Sequence, residues 1–238
     1  MTRKKVALLS NLCIAAVLVS LCVAVFTTDL NNVFISVAAP ISSGSRSGGK
    51  VSLMFVVEDE GSDFLVETLT LLRQRNVPAT FFVGGAWASR NPDKLMQIAE
   101  YFELGNHAYN NRALSRLSRQ DQHTEIAKCN EKIYEITKHM PGCDDGCGVK
   151  MRVFLPPRGS FNRDTLRSVD RLGLRTVMWS KNAMAGSILT NATREIKSGD
   201  LVALRPSLAT FSVLNNIINE YARQNLQIVS VGSHLKIV

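Results

Sequence analysis

Basic patches interleaved with aromatics are missing from this chain, as are Lys/Arg-rich helices and any nucleic-acid motif, so no nucleic-acid partner is expected. Acidic residues are the scarcer charge: 20 Asp and Glu stand against 28 Lys and Arg, a formal net charge of +8. Residues 1–50 carry +4 of it and the rest of the chain the other +4. A mildly basic domain suits an anionic wall polymer or a membrane surface without requiring either. Cysteine is sparse, at five. Cys13 and Cys22 lie in an apolar run and read as small fillers. The spacing of Cys129, Cys143 and Cys147 matches no standard pair of zinc knuckles, and no His follows at ligand distance. There is no internal repeat. Apolar residues make up 45% and charged residues 20% of 238, which excludes a disordered chain and is enough for one large core plus a tail.

One long apolar run stands out, Val6 to Phe26, broken only by Ser10, Asn11 and Ser20 and preceded by Arg3, Lys4 and Lys5. At about 1.5 Å per residue such a run crosses a bilayer core. The basic cluster holds the N-terminus in the cytoplasm and sends the remainder outside. The reading is a cytoplasmic stub over 1–5, a transmembrane signal-anchor over 6–27 and a single-pass cell-membrane protein with its C-terminal domain extracytoplasmic. A cleaved signal peptide is the alternative; its best small-x-small site, Val37-Ala38-Ala39, falls well beyond the run. Residues 28–49, rich in Ser and Gly from Ile41 on, read as a flexible linker, which starts the domain near Lys50 (50–238).

From there strands alternate with helices, the mark of a parallel α/β architecture. Val51 to Val57 is a strand buried on both faces, with Val51, Leu53, Phe55 and Val57 on one side and Met54 and Val56 on the other. Ser62 is expected to cap a helix over 63–75, Pro92 to open the next and Ser118 a long amphipathic one. A helix is predicted over 191–197, and a strand over 174–179. In an extracytoplasmic domain a Cys143–Cys147 disulfide, or one using Cys129, is credible. Zinc held by these thiolates with Asp144 and Asp145 is the sharper alternative.

Three stretches carry the chemistry. Val77 to Gly85 ends a strand in two glycines. Phe102 to Asn111 ends one in Gly105-Asn106-His107, which aims a His at the mouth of an α/β fold. Phe154-Leu155-Pro156-Pro157-Arg158-Gly159 is a double-proline loop. With Arg90-Asn91-Pro92, Val177-Met178-Trp179-Ser180 and Gly199-Asp200-Leu201-Val202, this ordered set resembles the NodB-homology polysaccharide deacetylases, the family-four carbohydrate esterases, from about Lys50 to the C-terminus. The resemblance implies a distorted (β/α) barrel, metal-dependent hydrolysis of N-acetyl groups on peptidoglycan or a related glycan, and zinc or another divalent cation if the chain is active.

Matched position by position, the chemistry has changed. The family's base and metal carboxylates fall on Val56 and Val57. Its two metal histidines fall on His107 and Asn111. The Arg and Tyr of its Pro-Pro loop fall on Leu155 and Arg158, the Asp after Trp-Ser on Asn182, and the His of its last motif on Arg205. Arginine stays charged and cannot serve as that acid. A register slip offers one rescue, with Glu58, Asp59 and Glu60 as carboxylates and Asp59, His107 and Asn111 as weak metal candidates. The expectation is a catalytically degenerate glycan-binding or scaffold pseudoenzyme without resident metal, with an active N-deacetylase as the rival. The expected cleft is His107, Asn111, Arg158, Trp179, Lys181, Asn182 and Arg205. Its cations either bind an anionic glycan or are solvated loop residues. No protein partner is identified.

Overall fold

The structure is a computed structural model describing residues 14–20, 38–140 and 148–237. The chain divides into two compact units, Met1–Val37 and Ala38–Val238. In the first, residues 14–20 are helical. Among the described residues no helix is long and apolar enough to cross a membrane. Most of the 6–27 span expected to do so lies outside the described residues.

In the second unit, parallel strands curl into a half-barrel in the order β5-β4-β3-β2-β1-β7-β6, with β8 pairing the start of β1. They are β1 (Lys50–Val57), β2 (Thr80–Val83), β3 (Glu103–Asn106), β4 (Val153–Phe154), β5 (Arg175–Thr176), β6 (Lys181–Asn182), β7 (Leu201–Leu204) and β8 (Gln227–Ile228). The helices between them are α1 (Leu65–Gln74), α2 (Gly85–Arg90), α3 (Pro92–Tyr101), α4 (Arg119–Thr137), α5 (Arg163–Arg171), α6 (Ile188–Thr193), α7 (Leu208–Arg223) and α8 (Val231–Leu235). The period-2 alternation of β1 divides two cores. Leu53, Phe55 and Val57 face the helices and pack with Phe81, Leu95 and Ile217. Met54 and Val56 face the barrel interior with Phe82, Val153, Leu155, Val177 and Leu201. Phe55 stacks on Phe81 with ring centroids 5.0 Å apart.

Several expected caps are present. Ser118 Oγ accepts the Asp121 N–H at 3.1 Å, and Pro92 opens α3. Ser62 does not cap α1. Its Oγ accepts the Glu58 N–H at 3.1 Å and so ties the acidic turn instead. The 191–197 helix lies earlier, as α6, because Glu195 turns the chain with a φ of 52°. The 174–179 strand is shortened to β5, since Val177 and Met178 pair with Ile41 outside the sheet.

The linker expectation needs correction at its C-terminal end. Ser- and Gly-rich composition predicts a free segment over 41–49. Ile41 instead bridges Val177, and Ser43 bridges Asp200. The small side chains there allow close approach to the barrel: a Cβ on Gly199 would meet the Gly44 carbonyl carbon at 3.1 Å. The folded unit therefore begins near Ala38, not Lys50.

Candidate functional site

A cleft of about 400 Å³ opens at the carboxyl ends of the strands, where parallel barrels place their sites. Glu58 reaches it by simple alternation. After Met54 and Val56 it is the next inward-facing position, one residue past the end of β1, where the chain leaves the dry interior for the mouth. Val56 and Val57 fill the inner and outer cores respectively, and their side chains offer no polar group to the cleft.

His107 follows β3 and is only 3% exposed. Its setting is made by Asn106. The Asn106 Oδ1 accepts the Ala108 N–H at 2.7 Å, and its Nδ2 donates to Ile126 O at 2.9 Å and Asn130 Oδ1 at 2.7 Å. Ala108, fully buried, sits in the left-handed region at φ 58°. That conformation is costly for a residue with a Cβ and persists only where surroundings hold it. Here the Gly85 N–H, donating to Ala108 O at 3.0 Å, completes the hold.

The His107 Nδ1 lies 2.7 Å from the Leu155 carbonyl, so Nδ1 carries a proton and donates. Nε2 then points into the cleft, 3.3 Å from Glu58 Oε1. A deprotonated nitrogen and a carboxylate oxygen would both be acceptors; one proton must lie between them. The other Glu58 oxygen, Oε2, accepts from Arg205 Nη2 at 3.1 Å. Burial pushes the Glu58 pKa up, but the hydrogen bond and charge of His107, then the charges of Arg205 and Arg158, hold it below the usual carboxylate range. The result is one carboxylate clamped between an imidazole and a guanidinium.

The other candidates divide. Asn111 and Arg158 meet at the rim, with Arg158 Nε donating to Asn111 Oδ1 at 3.4 Å, and Glu60 lines the wall. Asp59 lines the cleft too but pairs with Arg90 at 2.6 Å, with both side chains more than half exposed. Trp179 lies against Gly159, behind the double-proline loop, and packs on the interior core. Lys181 and Asn182 are not brought in. Lys181 Nζ donates to Arg194 O at the end of α6 (2.7 Å), and Asn182 Oδ1 accepts the Met184 N–H (3.1 Å). Three cations in the pattern predict a positive cleft; the structure gives a balanced one. Lys181 is elsewhere, Glu58 neutralises Arg205, and Asp59 neutralises Arg90. Arg158 is the cleft guanidinium that has no carboxylate partner among the described residues.

Sequence reasoning missed Trp87, Tyr109, Asn110 and Glu125. The first three line the cleft. Glu125, on α4 and 8% exposed, accepts the Asn110 N–H at 2.7 Å and its Nδ2 at 2.8 Å, and so holds the rim turn. Its one signal was a charge on the inward stripe of an amphipathic helix.

The residues present do not fit a divalent cation. His107 Nε2 is engaged by Glu58, Asn111 by Arg158 and Asp59 by Arg90, and a second positive charge would stand against Arg205. Among the described residues no group of three or more His, Cys, Asp or Glu is disposed to hold a metal ion. Cys143, Asp144, Asp145 and Cys147, with their proposed disulfide or zinc, lie outside the described residues. Cys129 is free and buried, its Sγ donating to Val83 O at 3.4 Å, which removes it from the disulfide alternatives.

The polysaccharide deacetylase family model matches residues 44–177. The Bacillus subtilis protein YlxY, itself uncharacterized, is 29% identical over 188 residues, covering 76% of this chain and 56% of YlxY, so the chain spans little more than half that relative's length. A peptidoglycan-N-acetylglucosamine deacetylase of Bacillus cereus is 28% identical over 199 residues, 77% of this chain and 88% of that protein. Among solved structures, a CE4 family pseudoenzyme from Bacillus anthracis superposes with a TM-score of 0.75 at 26% identity, over 83% of this chain and 69% of that one. A mutant of that pseudoenzyme with restored enzymatic activity superposes equally well.

Proposed function

Because this chain belongs to the NodB-homology polysaccharide deacetylases, the family-four carbohydrate esterases, we propose that it is a membrane-tethered, extracytoplasmic binder of cell-wall glycan that has lost metal-dependent deacetylation. The observation that carries this reading is the Glu58 clamp. Deacetylation needs a Lewis acid and an activated water beside a base. In this cleft the only carboxylate beside the imidazole, among the described residues, holds an arginine. That arginine occupies the position matched to the family's acid, and Val56 and Val57 occupy those of its carboxylates. The likeness to a CE4 pseudoenzyme supports the same conclusion.

Glycan binding fits what is left. Tyr109, half-buried at the cleft wall, supplies ring surface, Asn110, Asn111 and Glu60 supply polar contacts, and Arg158 offers a fork to a sugar-borne carboxylate. Tethering rests on the apolar run over 6–27 and the basic residues before it. The test pairs acetate release from peptidoglycan, with and without added zinc or cobalt, with cosedimentation on the same wall material. Binding without acetate release is the expected result. Acetate release that tracks about one bound metal per chain and is lost in His107→Ala overturns it in favour of a rebuilt deacetylase. In intact cells, added protease should reach the domain while it stays with the membranes. A mature form starting near Ala39 would replace the tether with a cleaved leader.

A further inference from the structure

Among the described residues no strand pair closes the barrel's seam; residues 41–46 span it instead. Ile41 N–H donates to Thr176 O and Ile41 O accepts the Met178 N–H, both at 2.9 Å, while Gly44 N–H donates to Gly199 O at 2.8 Å. Arg46 Nη1 locks the far end on Asp200 Oδ1 at 2.7 Å. Directly beneath Gly44 lies His234 of α8, 8% exposed. Its Nδ1 is 2.8 Å from Ser52 Oγ, and its Nε2 is buried with no hydrogen-bond partner among the described residues. The fit is tight: a Cβ on Gly44 would collide with Nε2 and would come within 2.6 Å of Cδ2 and 3.0 Å of Cε1.

We propose that His234 is an acid-operated latch: when its imidazole takes up a second proton, the 41–46 strap leaves the seam. As a neutral ring His234 can accept from the Ser52 hydroxyl at Nδ1 and leave only one orphan group, at Nε2. As a cation it must donate from both nitrogens. Nδ1 then takes the serine oxygen as acceptor, and the Nε2 N–H is buried against glycine with a full charge behind it, a state that proteins avoid. The charged groups around it give no relief. Lys50 on β1 repels it. Glu103 of β3 is occupied by the Gly232 N–H and Thr80 Oγ1. Asp200 at the head of β7 is taken by Arg46, and Lys236 follows α8 with the wrong sign. Lifting Gly44 lets water reach Nε2 and removes the conflict.

Burial, then Lys50, lowers the His234 pKa from its ordinary value. A lowered value in the latched form means that the released form binds the proton better. The latch is fully set above about pH 6.5 and weakens as pH falls toward the lowered value, by up to about tenfold per pH unit. Asp200, also lowered, acts separately: its carboxylate stays paired with Arg46 until pH falls below the ordinary Asp value of about 4. If residues 1–37 are tethered as proposed, release adds six residues of leash, about 20 Å at full extension.

Hydrogen exchange on the whole 238-residue chain at pH 7.5 and 5.5, corrected for intrinsic rates, reads the latch at the Gly44 and Met178 amides. Both should exchange faster at pH 5.5, by up to about tenfold, with the β1 amides unchanged. His234→Gln should abolish that step, and Gly44→Ala should expose both amides at pH 7.5. Equal corrected rates at the two pH values, or a step that survives in His234→Gln, overturns the proposal. Should His234→Gln fail to fold, the unmodified chain and Gly44→Ala still decide it, since full protection in Gly44→Ala at pH 7.5 shows that the contact does not hold the strap.

Discussion

Replacing Arg205 by Met keeps the unbranched stem of the side chain and removes the charge that faces Glu58. Glu58 is only 12% exposed and would be left with His107 as its partner. Breaking a fully buried pair costs about 3–5 kcal/mol, whereas an exposed pair is worth about 0–1. Arg205 is 38% exposed, so solvent screens the pair and the loss should fall between, at about 1–2 kcal/mol. For a domain of this size that is a fall in Tm of about 2–8 °C. The sign with pH follows from the depressed Glu58 pKa. Its contribution is present above the unfolded value of about 4.3 and is lost as pH falls through the folded one. Arg205→Met should therefore lower stability at pH 7 and flatten the acid limb. A double-mutant cycle of Glu58→Gln with Arg205→Met, by urea denaturation at pH 7, isolates the pair. A coupling within about 0.3 kcal/mol of zero would refute the reasoning, because the arginine would then be a solvated neighbour and not the carboxylate's counter-charge.

Asn106→Ala should destabilise by about 2–3 kcal/mol, since it strips the hydrogen bond that holds Ala108 at positive φ; an unchanged urea midpoint would count against that turn as the fixer of His107. Asn106→Asp should not rescue, because a carboxylate would face the Ile126 carbonyl and the Asn130 amide oxygen. Arg158→Gln should weaken binding to a carboxylate-bearing wall glycan by about 1.5–3 kcal/mol, more at low salt than at high, and leave a neutral chitin-type oligomer unaffected. Equal loss for both ligands would make Arg158 a general contact. Burial pushes the Cys129 thiol up to about 12, so peptide mapping after iodoacetamide at pH 8 should find it unmodified until the domain is unfolded.

The two-faced burial of Val51 to Val57, the Pro92 and Ser118 helix starts and the Gly-Asn-His turn are local consequences of side-chain period and capping chemistry. The sequence alone determined them, along with the family. What each polar group does once the strands curl was not legible, because it depends on residues far apart in the chain. Glu58 and Arg205 are 147 positions apart and read separately as a solvated turn and a free cation. Only the parallel pairing of β1 with β7 sets them against one another. Lys181 fails for the converse reason: it belongs to a neighbouring strand, but its ammonium satisfies the carbonyl at the end of α6. Composition made 41–49 a linker, since Ser and Gly carry little intrinsic structure. The barrel's open seam, a property of no single segment, gave their backbone groups partners and drew the strap into the fold.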